Sequence, residues 1–314
     1  LKKSNKIIST VILSVIAGIV LIYSMSDVHG PRTPVFESAE PATPGNYTRI
    51  ISLAPNITET LFALGLGDRV VGVSRFCKYP AEALKIDKVG GFIDPNYEAI
   101  VLLKPDLVIL LPEHENIRTY LHELGLRTAV VHNRVVGEIL GTITAIGELC
   151  SAEQRAHELV SDIESRMNFI REKTRNVNHP RVMISVGRSF GSDSVTDVSI
   201  AGKNTFYDEL ITYAGGKNVY DKNDIPFPVI SKEGILYLNP EFIIEMIPST
   251  GEIELDGEMI RNEWKSIPDV DAVKQNHIYA FKQDYAVIPG PRFIMFLEDL
   301  AKKLHPELDW EQIH

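Results

Sequence analysis

Apolar and polar positions alternate along this chain in a rhythm that predicts strand and helix by turns from about Arg49 onward. Ile50 to Leu53 is a short buried strand. Pro55 stops the ladder, and Thr58 to Leu64 then carries helical spacing up to Gly65 and Gly67. Val70 to Val73 is a second strand and Pro80 to Leu84 a short helix. Tyr97 to Leu103 is a helix halted at Lys104-Pro105, because the residue before proline is pushed out of the helical region. Leu107 to Leu111 is a strand, Ile117 to Leu124 a helix closed by Gly125, and Thr128 to Val131 another strand. Strands separated by helical crossovers run parallel, so residues 49–133 predict one α/β lobe.

From Val136 to Cys150, Ile139, Leu140, Ile143, Ile146 and Leu149 recur at three- and four-residue intervals. Ser151 with Gln154 then predicts a capping box for a helix over Ala152–Thr174. That helix would be roughly 35 Å long, enough to join two lobes, and residues 134–179 form a connecting segment. The alternation restarts after Pro180. It gives strands at Val182–Val186, Phe242–Met246 and Ile278–Phe281, and helices at Thr205–Ala214, Lys232–Leu238, Met259–Lys265 and Pro291–Leu304. A second lobe over 180–314 follows. The two halves are alike in plan but not in detectable sequence, so no internal repeat is expected.

The amino-terminal residues follow different rules. Lys2, Lys3 and Lys6 precede an apolar run from Ile7 to Tyr23, a charge order that inserts into a membrane and leaves the remainder outside the cytoplasm. The run is longer than the roughly 7–15 residue core of a removable signal. It ends in Ser24-Met25-Ser26-Asp27 without a clear cleavage site, so an uncleaved anchor over 7–23 is favoured within a segment 1–26. Cysteines stand only at 77 and 150, so no diacylglycerol anchor is expected. Pro31, Pro34, Pro41 and Pro44 with few large apolar neighbours predict a tether over 27–48. Cys77 and Cys150 are read as small buried residues rather than a disulfide.

Composition narrows the chemistry. The chain has 314 residues and a formal charge of −10, with no concentrated basic face, which argues against a nucleic-acid partner. It contains no nucleophile elbow, phosphate-cradling glycine loop or metal-binding His-Glu-x-x-His helix, so enzymatic function loses most of its support. The nearest cluster is Glu113-His114-Glu115, at the carboxyl end of a predicted strand, where α/β sheets place ligands. It reads as a candidate ligand contact or as an exposed charged loop.

Three stretches carry a resemblance: Arg49-Ile-Ile-Ser-Leu-Ala-Pro-Asn-Ile-Thr-Glu59, Val71-Gly-Val-Ser-Arg-Phe-Cys-Lys-Tyr-Pro80 and Asn96-Tyr-Glu-Ala-Ile-Val-Leu-Leu-Lys-Pro-Asp106. They resemble the amino-terminal lobe of class III substrate-binding proteins, which serve cobalamin, ferric-siderophore and haem importers. Ala201-Gly-Lys-Asn204, Gly215-Gly216, Ile225-Pro-Phe-Pro-Val-Ile-Ser-Lys-Glu233 and Gly290-Pro-Arg292 resemble the second lobe. The resemblance covers about 49–304. It implies an α/β fold of two Rossmann-like lobes joined by a single long α-helix, a ligand cleft between them, no catalysis and no cofactor of the protein's own. The implied partners are an ABC permease dimer with its ATPase subunits and a small chelate ligand.

The cobalamin-binding branch matches best. Its cleft positions fall on Pro55, Phe76, Phe92, Leu111, Phe227, Asp284 and Tyr285, with Leu111 where that branch has a tryptophan and Ile288 near a family arginine. Aromatic faces suit a flat corrinoid. A cobalt corrinoid is therefore set ahead of a ferric chelate, for which Arg75 and Arg188 are candidate cationic donors. Haem would want an axial tyrosine or histidine, for which Tyr285 and His114 are the candidates. A metal-cluster enzyme of related two-lobed fold would need more cysteine or histidine ligands than two cysteines supply. Glu98 and Glu233 open predicted helices, where the dipole favours a carboxylate. The resemblance implies that these two dock the permease.

Overall fold

The computed structural model describes residues 43–191, 194–222, 225–247 and 257–311. The anchor expected over 7–23 and the tether up to residue 42 lie outside the described residues. Among the described residues no helix is long and apolar enough to cross a membrane. Packing starts earlier than Arg49. Gly45 N–H donates to the Leu149 carbonyl at 3.0 Å, and Tyr47 is buried with the Arg127 guanidinium 5.7 Å from its ring centre. The tether expected up to residue 48 therefore ends before Gly45.

The chain divides into two units. One runs through Arg166 and takes in Ile288–Ile294; the other holds Met167–Val287 and the chain from Met295. The expected separate segment 134–179 is thus shared between units, and the expected lobe 180–314 gives up seven residues.

The N-terminal unit is built on a sheet of β1 (Ile50–Ser52), β2 (Val70–Val73), β3 (Asp87–Lys88), β4 (Leu107–Leu110) and β5 (Thr128–Val130), in spatial order β3-β2-β1-β4-β5. Every pairing is parallel. Ile51, Leu53, Ile100, Val108, Leu110 and Leu121 fill its core. Helix α1 (Pro55–Ala63) starts at the proline rather than after a loop. Its ring presets the helical angle and lacks an N–H that would have no acceptor in the first turn anyway. Next come α2 (Tyr97–Leu102), α3 (Glu115–Glu123) and α4 (Val136–Leu149), then α5 (Glu153–Thr174), whose 22 residues span about 33 Å. Helix α5 begins in the N-terminal unit and ends in the other.

The expected capping box does not form. Ser151 lies in the left-handed region at φ 56°, and Gln154 donates instead to the Glu158 carboxylate at 2.7 Å. The turn between α4 and α5 leaves no residue to spare. Ala152 N–H donates to the Gly147 carbonyl at 2.7 Å, and a Cβ on Gly147 would come within 2.4 Å of the Ala156 methyl.

The C-terminal unit centres on β6 (Arg181–Arg188). Beside it lie β10 (Phe242–Met246) and β11 (Ile278–Phe281), all parallel. The short β8 (Lys217–Asn218) covers the start of its other edge. The end of that edge pairs with β7 (Val198–Ile200), which is antiparallel and leads to β9 (Val229–Ile230). Helices α6 (Phe206–Tyr213), α7 (Lys232–Leu238), α8 (Gly257–Trp264), α9 (Asp271–Lys274) and α10 (Phe293–Leu304) complete the described elements. Met183, Val198, Ile243, Trp264 and Ile278 are among its core.

The two halves, alike in plan, share one local repeat. Residues 96–106 and 231–241 share Glu98/Glu233, Ile100/Ile235, Leu103/Leu238 and Pro105/Pro240. Their backbones are held alike. Asn96 Oδ1 accepts from Ala99 N–H at 3.0 Å, and Ser231 Oγ from Gly234 N–H at 3.3 Å. Each helix ends on a left-handed residue before proline, Lys104 at φ 46° and Asn239 at φ 39°. Arg49 Nη2 donates to the Leu103 carbonyl at 2.5 Å, as Arg181 Nη2 does to that of Leu238 at 2.6 Å. The Asp106 and Glu241 carboxylates in turn accept from the backbone N–H of those two arginines at 3.0 and 2.8 Å. The clamp is made of contacts far apart in sequence, which is why four identities among eleven positions escape notice until the chain is folded.

Candidate ligand-binding site

In the order β3-β2-β1-β4-β5 the chain reverses direction of build between β1 and β4, the topological switch point at which such sheets gather their ligands. The loops leaving the carboxyl ends carry the predicted residues of this unit: Pro55 after β1, Arg75 and Phe76 after β2, Phe92 after β3, and Leu111 to His114 after β4. β2 and β3 are neighbours, and their loops are tied together. Arg75 N–H donates to the Gly90 carbonyl at 2.8 Å, and its guanidinium meets the Asp94 carboxylate at 2.5 Å. That ion pair passes so close over Gly91 that a Cβ there would lie 1.9 Å from Asp94 Oδ1. Phe76 stands 42% exposed beside Arg75, whose guanidinium carbon is 5.9 Å from its ring centre. Pro55 and Phe92 are half-buried.

Phe92 reaches the turn after β4, where its ring centre lies 4.5 Å from that of His114. His114 is wholly buried, and its Nδ1 accepts the Leu111 N–H at 3.2 Å. Accepting at Nδ1 puts the proton of the neutral ring on Nε2, which has no hydrogen-bond partner among the described residues. Burial pushes the His114 pKa down to about 4. Burial also pushes the Glu113 carboxyl up, with the Glu138 charge adding; its own backbone N–H and Arg134 oppose this. The Glu113-His114-Glu115 cluster is therefore not one site: His114 is buried beneath Phe92, and Glu115 pairs with Arg118 at 2.8 Å. Among the described residues no three acidic, histidine or cysteine side chains converge on a metal position. Wholly buried, His114 presents no nitrogen at the surface of this unit, which counts against it as an axial haem ligand. Leu111 is also buried and offers a ligand little surface.

The sequence reading missed a second feature of this unit. Arg292 donates to both Glu59 carboxylate oxygens, Nε at 3.0 Å and Nη2 at 2.6 Å, and its guanidinium carbon lies 3.6 Å from the Tyr79 ring centre. Gly290 admits this approach, since a Cβ there would sit 3.1 Å from Glu59 Oε2. The pair fastens segment 288–294 to the amino-terminal turns of α1. Motifs containing Glu59 and Arg292 were visible, but nothing in one dimension joins them.

In the C-terminal unit the carboxyl ends of β6 and β10 carry Arg188 and Glu245, which pair with each other. Arg188 donates to Glu245 at 2.9 Å and to Glu263 at 2.5 Å. Glu245 also accepts from Ser185 Oγ at 2.6 Å and from the Trp264 indole at 2.8 Å. Burial opposes the Arg188 charge most, yet the two carboxylates together hold its pKa above the ordinary value. Arg188 is thus held as a structural cation by two carboxylates, with its buried Nη2 alone lacking a hydrogen-bond partner among the described residues. Phe227 is buried at 8% exposure in the loop before β9. Asp284 and Tyr285 lie on a 3-10 turn after β11, both half-buried, and the Tyr285 hydroxyl donates to Asp299 at 2.7 Å. Cys77 and Cys150 are free and buried, as expected.

Glu98 and Glu233 sit exposed in the first turns of α2 and α7. The Glu233 backbone N–H, the Ser231 hydroxyl at 2.9 Å and Lys232 hold its carboxyl below the ordinary range.

The N-terminal unit thus presents aromatic side chains and a tethered arginine on the loops at the carboxyl edge of its parallel sheet, the edge at which such sheets hold ligands. Residues 50–285 match the family model described as periplasmic binding protein, and the chain belongs to that family. It is a substrate-binding protein of the ABC-importer type, not an enzyme. It is 31% identical over 270 residues, 82% of this chain and 80% of the relative, to a protein of Bacillus subtilis (strain 168) described as an uncharacterized ABC transporter substrate-binding lipoprotein, YvrC. Among solved structures it is similar to a possible iron-binding, periplasmic solute-binding protein of Staphylococcus epidermidis, with 28% identity and a TM-score of 0.69, covering 83% of this chain and 100% of the other. The periplasmic vitamin B12-binding protein of Vibrio cholerae is similar at 25% identity and a TM-score of 0.69, covering 83% and 98%.

Proposed function

We propose that this protein captures a cobalt corrinoid outside the cytoplasm and delivers it to an ABC permease dimer with its ATPase subunits. The observation that carries the ligand assignment is the presence of exposed Phe76 and half-buried Phe92 on the adjacent tied loops after β2 and β3, at the carboxyl edge of the sheet. Aromatic faces there bury a large flat macrocycle at little conformational cost. The likeness to the vitamin B12-binding protein of Vibrio cholerae supports the same choice. Calorimetry with cobalamin and cobinamide is expected to give one ligand per chain, and Phe92→Ala to weaken binding by about 1–3 kcal/mol. No heat with either corrinoid, together with tight binding of a ferric siderophore, would replace this ligand with the second reading. That reading rests on Arg75, the one cation the sequence offered that is exposed at this edge, and on the Staphylococcus epidermidis relative described as possibly iron-binding.

Delivery requires docking, and Glu98 and Glu233 are assigned to it as a matched pair, one in each unit. The local repeat supports the match, because it sets both carboxylates in the same turn of the same clamped helix. Glu98→Ala and Glu233→Ala are each expected to leave ligand affinity within about twofold and to weaken permease binding roughly tenfold, more at low salt. Normal transport by the double variant at limiting protein concentration would return both residues to being helix-terminal carboxylates. The tether to the membrane through residues 7–23 is part of the same proposal, and the amino-terminal residue of the mature protein decides it.

A further inference from the structure

Each clamped helix exposes more than its glutamate. In α2, Val101 is 44% and Leu102 79% exposed; in α7, Leu236 is 37% and Tyr237 89% exposed. These stand three and four residues after Glu98 and Glu233, so each helix presents one carboxylate and two large apolar groups on neighbouring positions of one face. Ile100 and Ile235, between them in sequence, are wholly buried and pin the opposite face. Scattered exposed apolar side chains are ordinary on any protein. The same pair recurring at equivalent positions of two units, behind the same cap and the same arginine clamp, is not scatter.

We propose that Val101 with Leu102, and Leu236 with Tyr237, are the apolar half of the permease-docking surface. Each pair enters a hollow beside the cationic group that meets its glutamate. The partner chemistry follows from the composition of the patch: a cation next to an apolar recess, presented twice, as a permease built of two matching subunits presents any feature of its outer face. The glutamates, exposed and screened, govern the rate of encounter and its salt dependence. The apolar pairs, which lose water only on contact, govern how long the complex lasts. The clamps make this efficient. Arg49 with Asp106, and Arg181 with Glu241, fix the helix-to-strand junction that follows each helix, so little backbone freedom is lost on docking.

This proposal rests on the docking reading of Glu98 and Glu233, and the test separates the two. The full chain, loaded with ligand, is measured against its ABC permease–ATPase complex in lipid nanodiscs at low and high salt. Three forms are compared: wild type, Leu102→Ser with Tyr237→Ser, and Glu98→Gln with Glu233→Gln. The serine variant should dissociate at least about tenfold faster with an unchanged salt slope, and the glutamine variant should associate more slowly with a flattened slope. Both positions are exposed, so the serine variant keeps wild-type ligand affinity, which is measured alongside. Wild-type dissociation of the serine variant beside a weakened glutamine variant overturns the apolar half and leaves the docking reading standing. Unchanged binding of both variants overturns both.

Discussion

Arg188→Ala is expected to destabilise the C-terminal unit by about 3–5 kcal/mol, because it leaves Glu245 and Glu263 buried together without their cation. The geometry makes the loss severe. Glu245 is wholly buried on β10 opposite Ser185 of β6, and without Arg188 it keeps Ser185 and Trp264 as donors but no neutralising charge. Urea unfolding followed by tryptophan fluorescence reads this unit directly, since both tryptophans, Trp264 and Trp310, belong to it. Arg188→Ala with Glu245→Gln should recover part of the loss, because one buried charge is then removed. A shift smaller than about 1 kcal/mol in the single variant would mean that water reaches the carboxylates and that the network contributes little.

The second large effect is a loss of stability in acid that belongs to His114. Its folded pKa of about 4 lies below the ordinary 6.5, so between those values the unfolded chain binds a proton that the folded chain refuses. The ring is neutral in both states at pH 7 and imposes no penalty there. As the pH falls through 6.5 the penalty grows, reaching about 3 kcal/mol near pH 4. Glu113 acts in the opposite sense, since a carboxyl raised by burial takes up its proton earlier in the folded state. The difference between wild type and His114→Leu therefore isolates the histidine. The variant is expected to be less stable at pH 7, having lost the acceptor for Leu111 N–H, but to lose less on going to pH 4.5. Parallel curves for the two proteins in urea, followed by backbone circular dichroism, would show that the ring titrates normally.

Most elements were legible because their signals are local. Val70–Val73, Phe242–Met246 and Ile278–Phe281, each a mostly apolar run, and Lys232–Leu238, opened by the Ser231 cap and closed before Pro240, coincide with their expected bounds. The short strands Asp87–Lys88 and Val198–Ile200 were missed, since two or three residues carry no periodicity and exist only through their neighbours. The candidate site divides in the same way. Phe76 and Phe92 could be placed at loop ends from the strand–loop–helix order. The burial of Leu111, His114 and Phe227 could not, because it is decided by what lies over them. Arg188 was misjudged for a related reason: its partners are 57 and 75 residues away. The same distance hid the pairing of Glu59 with Arg292.

That last pair bears on how the protein is made. The N-terminal unit holds Glu59 at its core edge, and the arginine that neutralises it arrives 233 residues later. A chain still being synthesised, or one still crossing the membrane, carries that carboxylate without its cation until segment 288–294 emerges. The half of the protein that begins first is thus completed only when the chain is nearly finished. The C-terminal unit likewise awaits the residues from Met295, so neither half closes before the chain is almost whole. Cutting the gene after the long helix would not yield an independent amino-terminal fragment. It would yield one lacking the strap that fastens its first helix.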